Sequence, residues 1–132
     1  IEENKLKMLE NIENGNAYNK FVEMVKNQCG DISYIEDTTK FKKSKYTLAV
    51  VTKKTGKVTE INAEDIGRLA CYLGAGRVRK EDQIQHEVGI VLNKKVGDEV
   101  MTDDFLAYIC ANDENKLMEA EKRILEIYKI EN

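Results

Sequence analysis

The residues with the most chemical potential lie together. Gly74-Ala75-Gly76 is followed by Arg77, Arg79 and Lys80, then by Glu81 and Asp82. Two glycines one residue apart leave backbone N–H groups open to a ligand, and three cations beside them suggest an anion cradle. Two features oppose that chemistry. The glycines close a helical pattern rather than open one, and a helix dipole favours anions at its N-terminus. Glu81 and Asp82 also cancel much of the local charge. Direct phosphate binding by the stretch Leu73–Ile84 is disfavoured on both counts.

Other reactive side chains are sparse. His86 is the only histidine, and it stands at the start of a strand with no nucleophile near it in sequence. General acid or base work needs a partner within hydrogen-bond reach, so a surface or packing role fits it better. Cys29 ends a helical pattern, where the dipole opposes thiolate formation. Cys71 and Cys110 sit in apolar patterns and read as core. Three dispersed cysteines and one histidine have no zinc-ligand spacing, and an odd count in a lysine-rich chain fits free thiols in a reducing cytoplasm. Lys40, Lys42, Lys43 and Lys45 interleave with Phe41 and Tyr46, as a nucleic-acid surface does, but the run is short and reads as a solvated loop.

Composition bounds the rest. The chain has 132 residues, 42% hydrophobic and 34% charged, with a net charge of −3. That length suits one domain with its own core. An acidic balance argues against nucleic acid as a partner, and no apolar run nears the ~20 residues that cross a membrane. No signal-peptide pattern is present. The chain opens on Ile1 rather than Met and contains no proline, and the first of these is expected of a processed or excised piece.

The elements that would position these residues follow from periodicity. Residues 1–14 read as a helix broken at Gly15. Tyr18, Phe21, Val22 and Val25 line one face of a second helix, with Asn16 as N-cap and Gly30 as its left-handed stop. Asp31–Asp37 alternates weakly, as a short strand would. Tyr46–Thr52 is a buried-strand pattern, and Val58–Ile61 is expected to return beside it as a hairpin. Asn62 caps a helix with Ile66, Leu69, Ala70 and Leu73 on its buried stripe and Gly74 just past its end. Glu87–Leu92, a strand from Val100 and Phe105–Ala111 follow, the last too apolar for an edge. Lys116–Ile130 then places Leu117, Ala120, Ile124, Ile127 and Tyr128 on a helical stripe. This order implies an α+β fold with a largely antiparallel or rolled sheet.

An ordered set of short strings then resembles the C-terminal region of the pyrimidine-nucleoside and thymidine phosphorylase family. The strings are Phe21-Val22-Glu23-Met24-Val25 with Gln28, Gly30 and Asp31; Asp31–Asp37; Ile66-Gly67; Leu73-Gly74-Ala75-Gly76-Arg77; Lys80-Glu81-Asp82; Val88-Gly89-Ile90; and Lys94-Lys95-Val96-Gly97-Asp98. Together they span roughly residues 15 to 130.

The resemblance implies an α/β-hammerhead with a barrel-sandwich-like mixed β-sheet and flanking helices. Residues 1–14 would then be a helical lead-in belonging to an upstream domain, and 15–132 the phosphorylase C-terminal domain. It further implies a cytoplasmic, homodimeric pentosyltransferase of nucleoside salvage, which cleaves uridine or thymidine with inorganic phosphate and needs no cofactor in this segment. The family's phosphate cradle, its Ser-Gly-Arg-Gly and Thr-Gly-Gly-Thr runs and its base-holding residues are absent from these 132 residues. No catalytic, cofactor or metal residue is therefore assigned, and the segment by itself is expected to be inactive. Gly74, Gly76, Arg77, Arg79 and Lys80 match the family loop near the cleft mouth that bears on domain closure. Archaeal AMP phosphorylases share the pattern, and the contacts that choose the nucleoside lie elsewhere. Four positions depart from it. Cys29 stands for the first glycine of Gly-Gly-Asp, Lys42 for a proline, Gln85 for an aspartate, and Asp103 for a glycine in a turn that favours positive φ.

A rival reading is a free-standing accessory or carrier module. Val96–Val100 with Leu106–Ile109 resembles half of a lipoyl or biotinyl carrier domain, which presents a lysine at a hairpin tip. Here the tip Ala111–Asn115 holds no lysine, and the first is Lys116.

Overall fold

The computed structural model describes residues 1–77 and 79–131. The chain forms two compact units, Ile1–Phe41 and Lys42–Asn132.

The first unit is made of short helices. α1 spans Glu2–Glu13 and α2 spans Asn16–Asn27, with Gly15 at φ 79° between them. Gly15, not Asn16, is the N-cap of α2, and no side chain caps it. Asn16 instead donates its own N–H to Asn14 Oδ1 at 3.0 Å. The end of α2 also differs from expectation. Cys29 N bonds Lys26 O and Gly30 N bonds Val25 O, both at 2.9 Å, the paired bonds of a Schellman ending. The left-handed residue of that motif is Cys29, at φ 58°. Gly30 is required for a different reason, since a Cβ there would lie 2.6 Å from Val25 Cγ1.

The weak strand pattern of 31–37 yields to local bonding. Asp31 Oδ1 accepts from Ser33 N at 2.9 Å, Ile35 N and Glu36 N bond back to Ile32 O, and Ser33–Glu36 is one helical turn, α3. The Ser33 backbone and side chain hold the Asp31 carboxyl below its usual range. Asp37 starts a 3-10 turn, Thr38–Lys40, and Phe41 packs edge-on against Tyr34 with ring centroids 5.1 Å apart. No residue of this unit is buried.

The second unit carries the core. Its elements are β1 (Tyr46–Val51), β2 (Gly56–Ile61), α4 (Ala63–Leu73), β3 (Gly89–Leu92), β4 (Glu99–Val100), β5 (Phe105–Ala111), α5 (Glu114–Ile127) and β6 (Tyr128–Glu131). They build two antiparallel three-stranded sheets, ordered β1-β5-β3 and β4-β2-β6. β5 is central, as its apolar sequence requires, and Leu106, Ala107, Ile109 and Ala111 are buried. Val58, Val100 and Tyr128 join from the other sheet, Leu69 and Leu73 from α4, and Leu117, Ala120 and Ile124 from α5, in one cluster. Each buried valine, leucine or isoleucine of this cluster contributes roughly 1.5–3 kcal/mol by leaving water.

Two expectations are overturned here. β1 and β2 do not form a hairpin, because Thr52 pairs with the 103–104 turn instead: its N–H bonds Asp104 O at 2.9 Å and its carbonyl accepts from Asp103 N at 2.8 Å. The chain then crosses to the second sheet, where β2 pairs with β4 and β6. The last helix also stops at Ile127 rather than Ile130. Tyr128 opens β6, 1% exposed, and its hydroxyl proton is shared between Lys94 O at 2.9 Å and Leu106 O at 3.2 Å. Burial, with Asp98 nearby, pushes that phenol up to about 12.

Candidate functional site

The glycine-rich loop leaves α4 through a built ending. Asn62 Oδ1 caps the start of α4, accepting from Glu64 N and Asp65 N at 3.0 and 3.1 Å, as its position predicts. At the other end Gly74 takes φ 111°, with Gly74 N on Cys71 O and Ala75 N on Ala70 O, both at 3.0 Å. A side chain at Gly74 would be strained there. Those bonds use two N–H groups that an anion cradle would need.

Gly76 is constrained differently. Its φ lies outside the left-handed region, but a Cβ would lie 2.5 Å from Cys71 Sγ. Cys71 therefore supports the loop from beneath, and is half-buried rather than core, as is Cys110. All three cysteines are free thiols, with Cys29 exposed.

The five residues marked in the sequence separate into two groups. Gly74 and Gly76 line a cleft of about 420 Å³, together with Cys71, Tyr72, Gln85 and Lys116. Arg77, Arg79 and Lys80 are exposed. Arg79 gives its N–H to Asp82 Oδ2 at 2.8 Å, and Asp82 N bonds Arg79 O at 3.1 Å, the reciprocal bonds of a tight turn. His86 is exposed. Val78, within the same stretch, lies outside the described residues.

Lys116 lies in the first turn of α5, where its Nζ donates to Tyr72 O at 2.9 Å and sits 5.3 Å from the Tyr72 ring centroid. Arg123 lies 4.8 Å from the same ring. A lysine held on a helix in this way is not the hairpin-tip lysine of a carrier domain. Phe41 belongs to the first unit, and Lys42 of the basic run is drawn into an ion pair with Glu87 at 2.5 Å.

The feature that sequence reading missed is the polar cluster beneath the loop's exit. Glu87, whose side chain is 5% exposed, accepts from Lys42 and from Asn112 Nδ2 at 2.9 Å. The Lys42 ammonium, the Glu87 backbone N–H and Asn112 hold this carboxyl at about 2. Asn112 Nδ2 also donates to Gln85 Oε1 at 2.6 Å, and its Oδ1 accepts from Lys45 N at 3.0 Å. Nothing in the sequence distinguished Asn112 from an ordinary turn residue ahead of the Asp113 cap.

A second cleft, of about 450 Å³, mixes Glu60, Asp65 and Glu126 with Arg68, Arg123 and Lys129. Its three carboxylates match its three cations in number, and Arg68 and Arg123 are already paired with Glu64 and Glu119. Among the described residues, no group of three or more His, Cys, Asp or Glu could hold a metal ion, and no helix is long and apolar enough to cross a membrane.

Comparison with known proteins decides the family. The sequence profile of the pyrimidine nucleoside phosphorylase C-terminal domain matches residues 57–131. The chain belongs to this family. It is 44% identical over 115 residues to a pyrimidine-nucleoside phosphorylase of Bacillus subtilis (strain 168), which covers 87% of this chain and 27% of that protein. A pyrimidine-nucleoside phosphorylase of Staphylococcus aureus (strain N315) is 42% identical over 112 residues, 85% of this chain and 26% of its own length. The chain thus spans about a quarter of the curated relatives it matches. The family match runs from Lys57 in β2 through β6, including the whole α4–β3 loop.

Proposed function

We propose that this chain serves as the C-terminal domain of a cytoplasmic, homodimeric pyrimidine-nucleoside phosphorylase, completing its large domain. The whole enzyme would cleave uridine or thymidine with inorganic phosphate to the base and a pentose 1-phosphate, a pentosyl transfer that uses neither nucleic acid nor membrane. The observation that carries this reading is identity of 42–44% along 85–87% of the chain, confined to about a quarter of each relative. Within the domain, taken as residues 15–132 with 1–14 as a lead-in, two antiparallel sheets flanked by α4 and α5 support the α/β-hammerhead with its barrel-sandwich piece.

The role assigned to Gly74, Gly76, Arg77, Arg79 and Lys80 is closure over substrate rather than phosphate binding. Three observations speak against phosphate binding, and the closure role comes from the family match. The Gly74 and Ala75 N–H groups bond helix carbonyls, the loop starts at the anion-averse end of α4, and Asp82 occupies the Arg79 N–H. The test uses purified protein with uridine and phosphate. The 132-residue chain alone should release no uracil, while the full-length protein containing it should. Turnover by the chain alone would refute the assignment of catalysis to upstream residues.

A further inference from the structure

The α4–β3 loop is tied down at its exit by a cluster outside the loop, and the cluster converges on one side chain. Asn112 stands at the junction of β5 and α5. Both protons of its amide nitrogen and its carbonyl oxygen engage groups from two other connecting segments. Both Nδ2 protons go to the loop's exit, one to Gln85 Oε1 and one to Glu87 Oε1. Its Oδ1 holds Lys45 N in the segment entering β1. Lys42, from that same segment, reaches Glu87. The loop's two ends are then joined by Gln85 N on Gly74 O at 2.9 Å, with the Gln85 amide stacked where a Gly74 side chain would be: Nε2 is 3.2 Å from the site of a Cβ. A continuous path therefore runs from Asn112 through Gln85 to Gly74 and on to Gly76, which rests on Cys71.

We infer that Asn112 is a positioning residue for this loop, acting through Gln85 and Glu87 to hold Gly74–Gly76 down on Cys71. Only an amide meets the requirement. An aspartate at 112 has no proton for either acceptor and would set a second carboxylate beside Glu87. Gln85 Oε1 would lose its Asn112 donor and Glu87 one of its three, and lost bonds in a part-buried cluster are costly. Glu87→Gln should matter less, because its amide oxygen still accepts from Asn112.

Cys71 reports the loop's position without reference to catalysis. Native protein is treated with iodoacetamide and each cysteine's labelling is followed by mass spectrometry, with the exposed Cys29 as the internal standard. Asn112→Asp should raise the Cys71 rate relative to Cys29 about tenfold, the change expected when about 1.4 kcal/mol of loop stabilisation is lost. Gln85→Ala, which leaves the Asn112–Glu87 bond in place, should give a smaller rise. It also serves as the reporter if the aspartate variant fails to fold. Unchanged Cys71 labelling in a folded Asn112→Asp protein, or in Gln85→Ala when only that variant folds, would overturn the inference. The consequence for turnover rests on the closure role proposed above, and the labelling rate does not. Faster labelling with unaltered kcat and KM in the full-length protein would therefore support the clamp and remove only the closure role.

Discussion

Replacing Gly76 by alanine isolates the contact on which the loop rests. The added Cβ would stand 2.5 Å from Cys71 Sγ, while its distance to Cys71 Cβ, 3.5 Å, is ordinary. Carbon atoms in favourable contact lie about 3.5–4.0 Å apart, so about 1 Å of overlap must be relieved at the sulfur alone. Cys71 lies within α4, and helical side chains have few χ1 wells to move into. Overpacking of this kind costs about 1–3 kcal/mol. Against it stands a gain of about 0.4–1 kcal/mol from the stiffer unfolded chain, available because the backbone at Gly76 is not left-handed. The net expectation is destabilisation by about 1–2 kcal/mol, which lowers Tm by about 4–8 °C for each kcal/mol in a domain of this size. The assay is thermal and urea unfolding by circular dichroism for wild type, G76A, C71A and the double variant. With the sulfur gone, the alanine at 76 has nothing to strike, so G76A should be neutral or slightly stabilising in the C71A background. A coupling of about 1–3 kcal/mol between the two sites is therefore expected. Equal costs for G76A in both backgrounds would refute the steric account.

Three further outcomes follow from other parts of the structure. Cys29→Gly should stabilise the first unit by about 1 kcal/mol, because a non-glycine residue now holds the left-handed position at φ 58°, a penalty of about 1–2 kcal/mol; a rise in Tm or in amide protection of α2 checks this. Tyr128→Phe should cost about 1–2 kcal/mol through the lost hydroxyl bonds to Lys94 O and Leu106 O. The folded phenol stays neutral to about 12 against an ordinary 10, so wild-type stability should fall as pH rises through that interval, and the Phe variant should lose this component of its alkaline titration. Glu87 is the reverse case. Its carboxyl is held at about 2 against an ordinary 4.5, so its contribution is complete above pH 4.5 and is lost as pH falls toward 2; urea midpoints measured across that window should fall less steeply in Glu87→Gln.

Much of the fold was legible because the relevant signals are local. The Asn62 cap, the Leu69 and Leu73 stripe, the Gly74 ending and the apolar Phe105–Ala111 run each depend on neighbours a few residues away, and all appear where the pattern placed them. The Asp103 departure was legible as well, since a position that favours glycine takes φ 72°. What failed was non-local. Val58–Ile61 has a strand's composition whether it pairs with β1 or with β4 and β6, and only the capture of Thr52 by the 103–104 turn decides between them. Tyr128 fits a helical stripe and a strand start equally well, and its hydroxyl partners at Lys94 and Leu106 are far away in sequence. At α2 the glycine signal was right but its position was misread by one residue, because Gly30 is small for Val25 and Cys29 makes the turn.

The candidate loop divides in the same way. Its glycines, cations and balanced acids could be read directly, and the helix bonds made by Gly74 and Ala75 occupy N–H groups that an anion cradle would use. Its supports were harder to read: Cys71 and Gly76 are five residues apart, but their contact depends on the path the chain takes past the helix end, and Asn112, Glu87 and Lys42 meet from three separate connections.

Transplanting the chain into a relative asks whether it can stand in for a phosphorylase C-terminal domain. This chain is put in place of the corresponding C-terminal quarter of the Bacillus subtilis pyrimidine-nucleoside phosphorylase, and uracil release from uridine and phosphate is followed. A chimera that turns over, beside a truncated relative that does not, is the outcome expected of a phosphorylase C-terminal domain. A chimera that folds and assembles yet releases no uracil would contradict it.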